Sequence, residues 1–183
     1  MTISELLGII LSVDTFLVHL QDARRKMSVG QYREAFNLII DLEVQSLSSL
    51  LKKIECMIDI GFILRDEKIL RYGIYLLEKH GSEVLEVEDL APVYFLNLAN
   101  QYVNMVTLSS YNDDYFAYYS RNELLKAREF YERALSYKNL PVELSYQIRI
   151  GLARVLYIAG RGVEALEQYQ ASLKIPSEQP ESP

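Results

Sequence analysis

The side chains that carry most enzyme chemistry are scarce in this chain. Two histidines, His19 and His80, and one cysteine, Cys56, are its whole stock of imidazole and thiol. Nucleophilic catalysis needs a thiol or hydroxyl beside a base that a third group orients. His19 closes an apolar stripe, and no cysteine, second histidine or serine-rich turn is spaced to join it. It reads as a packed or surface histidine. His80 stands just before Gly81, where the spacing predicts a helix end, and a basic ring there suits the helix dipole. Cys56 follows Glu55, with only Lys52 and Lys53 as basic neighbours, and reads as a buried, unreactive thiol. Asp113 and Asp114 are adjacent carboxylates without the further spaced oxygens that a divalent cation requires. There is no glycine-rich phosphate loop. The chain is therefore expected to be no enzyme, and to need neither cofactor nor metal.

Composition narrows the partners. The 183 residues carry 19 basic and 25 acidic side chains, a net charge of −6. That balance argues against a general nucleic-acid or anionic-membrane binder, since either needs a basic surface. Half the residues are apolar, enough for a real core. The N-terminus is apolar but has no basic leader, and Glu5 and Asp14 interrupt it. An amphipathic first helix is expected there, not a signal peptide or a span, and the chain is expected to be cytoplasmic.

The positioning elements follow from spacing. Apolar residues recur at three and four throughout, as in Leu6, Leu7, Ile10, Val13, Phe16, Leu17 and Leu20, and strand-like alternation is absent. Turn signals at 28–30, 46–49, 65–67, 81–82, 139–141 and 160–162 leave room for eight helices of roughly 14–24 residues. Residues 1–175 hold only two prolines, Pro92 and Pro141, as an all-α chain should. Small residues recur on the stripes. Ala23, Gly61, Ala99 and Ala153 are spaced by 38, 38 and 54 residues; Ala35, Gly73, Ala127 and Ala165 by 38, 54 and 38. Both series predict four helix pairs that cross at small residues, with 16 extra residues between Ala99 and Ala127. A single pair cannot cover its own apolar face, so the pairs must stack.

Here the sequence resembles the tetratricopeptide repeats. Asn97-Leu98-Ala99-Asn100-Gln101-Tyr102 is similar to the family's first-helix signature, and Ala127 through Leu135 to its second. Leu152-Ala153 through Pro176 resembles a whole repeat, and Gly30 through Phe36 a turn and second helix. The family's usual repeat is 34 residues, not 38. The resemblance implies an all-α, right-handed superhelix of about four pairs over 1–176, with an insertion near 103–121 and a flexible tail at 177–183. It further implies a non-catalytic module that holds a protein or peptide segment in its concave groove.

Counting from each small residue places Arg24 and Met27, then Phe62 and Arg65, then Asn100, Val103 and Asn104, then Arg154, Tyr157 and Ile158 on that groove. The expected partner-binding set is Arg24, Phe62, Arg65, Asn100, Asn104, Arg154 and Tyr157. Arginine and asparagine suit carboxylates and peptide backbone. The family's carboxylate clamp is missing, because its positions read Leu20, Arg24, Asp59, Val93 and Asn97. Arg121-Asn122 resembles the opening of the HEPN ribonuclease motif, but Ala127 stands where that motif needs its histidine. The insertion carries Tyr111, Tyr115, Phe116, Tyr118 and Tyr119, rings that suit either an interface or the cover of a neighbouring repeat. Two other readings share the repeats: a receptor for a signalling peptide or small ligand, and an acidic export chaperone, which would dimerise.

Overall fold

The computed structural model describes the backbone of residues 3–109 and 122–174, with the side chains of 15–108 and 122–174. Most of the insertion, with its five rings, and the tail lie outside the described residues. Among the described residues there are eight helices and no strand: α1 (Ile3–Ser28), α2 (Tyr32–Ile40), α3 (Leu47–Ile63), α4 (Glu67–Leu85), α5 (Ala91–Ser109), α6 (Asn122–Leu135), α7 (Val142–Ile158) and α8 (Gly162–Leu173). Their lengths run from 9 residues in α2 to 26 in α1, a wider spread than the punctuation predicts. Gly81 does not end a helix. It is buried inside α4, which runs on to Leu85, so Gly81 serves there as a small packing residue. His80 is thus mid-helix, 3.5 Å from Glu83.

Local chemistry sets the helix starts. The Ser46 side chain accepts a hydrogen bond from the Ser49 amide at 3.1 Å and caps α3. Asp66 accepts from the amides of Lys68 and Ile69 and caps α4. Each such cap is worth about 1 kcal/mol. Three hairpins turn through one left-handed residue: Gly30 (φ 81°), Arg65 (φ 54°) and Gly160 (φ 73°). In each, two amides return to carbonyls of the preceding helix, as Arg65 to Phe62 and Asp66 to Gly61.

Chain contacts divide the protein into two compact units, Met1–Leu90 and Ala91–Pro183. In the first, α1 pairs with α2 and α3 with α4, while α3 also touches α1 and α2. Its core gathers Phe16, Leu20, Ala23, Ala35, Ile39, Cys56, Met57 and Ile60. Lys53 ties α3 to the end of α2 and the loop after it, its ammonium donating to the carbonyls of Ile40 and Leu42, each at 2.7 Å. In the second unit α5 pairs with α6 and α7 with α8, and α7 also meets α5 and α6.

Alanine marks three of the four pairs as expected: Ala23, Ala35, Ala99, Ala127 and Ala153 have no exposed surface, and Ala165 almost none. The second pair differs. Measured from the left-handed turn residue, Ala23 and Ala153 stand seven before, and Ala35 and Ala165 five after. In the second hairpin those places belong to Ile58 and Leu70, while Gly61 stands four before and meets Ile69 and Leu70. The step between the Gly30 and Arg65 turns is 35 residues, not 38. In the fourth pair Leu152 and Leu156 are buried, but Tyr169 and Leu173 are exposed rather than packed around the crossing. Among the described residues the principal neighbour of α8 is α7, and Leu166, Tyr169 and Leu173 of α8 are exposed.

A Cβ on residue 61 would sit 2.8 Å from Ile69 Cγ2. Alanine in an open helix gains about 1 kcal/mol over glycine, whereas overpacking a tight crossing costs about 1–3 kcal/mol. Gly61→Ala is therefore expected to lower the urea midpoint, and a raised midpoint would refute the close α3–α4 approach.

Candidate functional site

In the second unit α5 and α7 lie side by side, and between them opens a hollow of about 280 Å³. α5 lines it with Asn100, Val103 and Asn104, α7 with Gln147, Ile150, Gly151 and Arg154, and Tyr131 of α6 closes its inner side. The placement follows from the crossing. Ala99 is fully buried where α5 meets its neighbours, so the next residue, turned about 100° around the helix, emerges at the hollow.

Tyr131 organises this site. Its side chain is 2% exposed, and its hydroxyl donates to Asn100 Oδ1 at 2.6 Å. A Cβ on residue 151 would lie 2.4 Å from the ring's Cζ, so only glycine fits opposite it. Burial pushes the phenol well above its usual range, partly offset by the charge of Arg154. The hydroxyl thus stays protonated and remains a donor. With Oδ1 occupied, the Nδ2 hydrogens of Asn100 are left without a partner among the described residues.

Arg154 is exposed and has no acidic partner among the described residues. The sequence explains why. The residues a helical turn away are Ile150, Gly151, Tyr157 and Ile158, none of them acidic. The other described arginines of this unit are engaged: Arg149 with Gln168, Arg128 with Glu132, Arg133 with Glu129 and Arg161 with Glu164.

The first unit shows the same framework with different chemistry. Counted from the turn, Asp59 of α3 stands where Arg154 stands on α7, and Cys56 where Gly151 stands. Asp59 feels the positive charge of Arg24 on α1. Cys56 is buried, donates to the Met27 sulfur at 3.6 Å, and burial pushes its thiol up to about 11, as an unreactive thiol requires.

Of the seven residues expected to bind a partner, Asn100, Asn104 and Arg154 converge on one hollow. Arg24 is exposed on α1, on the side facing Asp59. Phe62 is half-buried, and Arg65 is the left-handed turn residue itself. Arg65 joins Arg33, Lys68 and Arg71 around a separate opening at the hairpin end. Tyr157 is 68% exposed in the last turn of α7 and does not line the hollow. Sequence reasoning missed Tyr131, Tyr146, Gln147, Ile150 and Gly151 as residues of the hollow. A glycine inside a helical stripe, away from any turn, was the readable sign of close approach at Gly151. Among the described residues no helix is long and apolar enough to cross a membrane, and no group of three or more metal-binding side chains gathers.

The carboxyl of Asp59 supplies a pH test. Crowding by surrounding chain and the charge of Glu55 push it up to about 6, with Arg24 opposing. An unfolded aspartate titrates near ~3.9. Above about pH 6 the folded state carries the full cost of the ionised form. As pH falls from there toward ~4 the folded state takes up the proton first, and that cost disappears. Asp59→Asn is thus expected to raise the melting temperature at pH 7.5, with the gain vanishing below about pH 4; a gain that persists or grows in acid would contradict this.

Comparison of the chain with protein-family models, with curated proteins and with solved structures finds no match.

Proposed function

We propose that the protein is a non-catalytic interaction module, a tetratricopeptide-like right-handed superhelix of helix pairs that holds a peptide or protein segment along its first helices. The observation that carries this reading is Arg154: an arginine with no ion pair among the described residues, at the rim of a preformed hollow in an otherwise acidic chain. Several other surface arginines find carboxylates within their own helices, as Arg71 does with Glu67 and Arg25 with Asp22. The donors around Arg154 match the acceptors of an extended chain, since Asn104 and the Nδ2 of Asn100 are both uncommitted among the described residues. Apolar walls from Val103 and Ile150 supply the surface that a bound side chain would cover.

The test is selection of a displayed random-peptide library on the immobilised protein. Enrichment of a shared segment is expected, with binding weakened at least about tenfold by Arg154→Glu and unaffected by Arg65→Glu, both variants keeping wild-type helicity and melting. Failure to enrich any segment, or equal binding by the Arg154 variant, would reject the reading.

A further inference from the structure

The turn between α3 and α4 carries a charged side chain where the other two left-handed turns have glycine. Arg65 holds φ 54° there, against 81° at Gly30 and 73° at Gly160. That conformation costs a non-glycine residue stability. The arginine lines an opening of about 520 Å³ together with Arg33 of α2 and with Lys68 and Arg71 of α4. Two carboxylates share the opening, and both already have partners. Asp66 accepts from the amides of Lys68 and Ile69, and Glu67 pairs with Arg71 at 2.6 Å. With those amides taken by Asp66, the attraction for an anion rests on the side chains. Arg33 and Lys68 pair with no carboxylate among the described residues. Four cations against two carboxylates leave the opening at +2, in a chain whose net charge is −6.

An aromatic surface continues from the opening. Lys68, Tyr72, Tyr75 and Lys79 follow at intervals of four, three and four, so they share one exposed face of α4. The rings of Tyr72 and Tyr75 stack with centroids 6.1 Å apart, and at 43% and 54% exposure neither is covered. We propose that this end of the α3–α4 hairpin docks a phosphorylated side chain of a partner protein. The phosphate sits among Arg33, Arg65, Lys68 and Arg71, and the residues flanking it lie across Tyr72 and Tyr75. A phosphomonoester carries about −1.5 to −2 at pH 7 and three acceptor oxygens, which matches the charge of the opening. A carboxylate would neutralise only half of it. Guanidinium groups also meet phosphate oxygens bidentately. The match is to one phosphate and not to many. A nucleic-acid strand or an anionic membrane extends its charge past the opening, where Glu78, one turn beyond Tyr75, and the acidic chain repel it. The surface belongs to the first unit and stands without the groove reading given above.

The test uses the whole protein and fluorescein-labelled peptide pools, random in neutral residues at the flanking positions and centred on phosphoserine, phosphotyrosine, serine or glutamate. Binding is read by fluorescence anisotropy at physiological salt. A phosphorylated pool is expected to bind at least about tenfold tighter than the serine and glutamate pools. Lys68→Gln and Arg33→Gln should each reduce that preference about threefold or more, and Arg154→Glu should leave it intact. Arg65→Gly separates binding from folding. Relief of the positive φ is expected to raise its melting temperature, while its phosphate preference falls about tenfold. A variant that melts higher and keeps the full preference would remove Arg65 from the site and, with it, the proposal. Phosphorylated and serine pools bound alike by the wild type would overturn the proposal and leave the groove reading untouched. A single-stranded oligonucleotide or phosphatidylserine vesicles bound more tightly than either phosphorylated pool would overturn the choice of a protein partner.

Discussion

The closeness of helices at their crossings is the constraint from which the rest follows. Helix pairs approach as near as the smallest side chains between them allow. Ala23, Ala35, Ala99, Ala127 and Ala153 are fully buried, and at Gly61 even one methyl group would collide with Ile69. Such contact leaves little void, so the surrounding leucines and isoleucines gain dispersion from every side. It also fixes the rotation of each helix. Once Ala99 is set inward, Asn100 has to emerge at the hollow, and once Ala153 is set inward, so does Arg154.

Within that frame, size is traded across the interface between the two pairs of each unit. In the second unit a tyrosine on the second helix meets a glycine on the next first helix, Tyr131 against Gly151. In the first unit the matching positions are Ile39 and Cys56, members of one core cluster. The summed bulk is kept while its distribution changes. Moving the bulk to Tyr131 brings a hydroxyl to the groove, where it can hold Asn100; isoleucine has no such group. A packing choice thus becomes a difference in surface chemistry, and the same backbone positions carry an internally answered charge in one unit and, among the described residues, an unanswered one in the other.

The left-handed turns govern register. Two of the three use glycine, which takes a positive φ without strain; the third uses Arg65. The turn at 65–67 is legible in the sequence, but with arginine there instead of glycine its left-handed residue carries no mark, and the register of the second hairpin is displaced from expectation. Counting from Gly61 gave Phe62 and Arg65 as groove positions. Counting from the turn gives Asp59, because Gly61 stands three residues nearer its turn than Ala23 or Ala153 does to theirs.

The sequence by itself determined the helical class, the pairing of consecutive helices and most of their boundaries, because these depend on local matters: three-and-four apolar spacing, caps such as Ser46 and Asp66, and scarce proline. It also determined that Arg154 would lack an ion pair within its own helix, since its neighbours one turn away are apolar. That Asn100, Asn104 and Arg154 would share one hollow was legible because each lies a fixed rotation from a buried alanine. Only the tertiary structure decided that Gly81 is a packing residue and not a helix stop, that Tyr169 and Leu173 are left uncovered, and that the Tyr131 hydroxyl reaches Asn100 across 31 positions of sequence. Those outcomes turn on which helix faces lie opposite one another, and contact between distant segments is set by the packing of the whole unit, not by the spacing of residues along one helix.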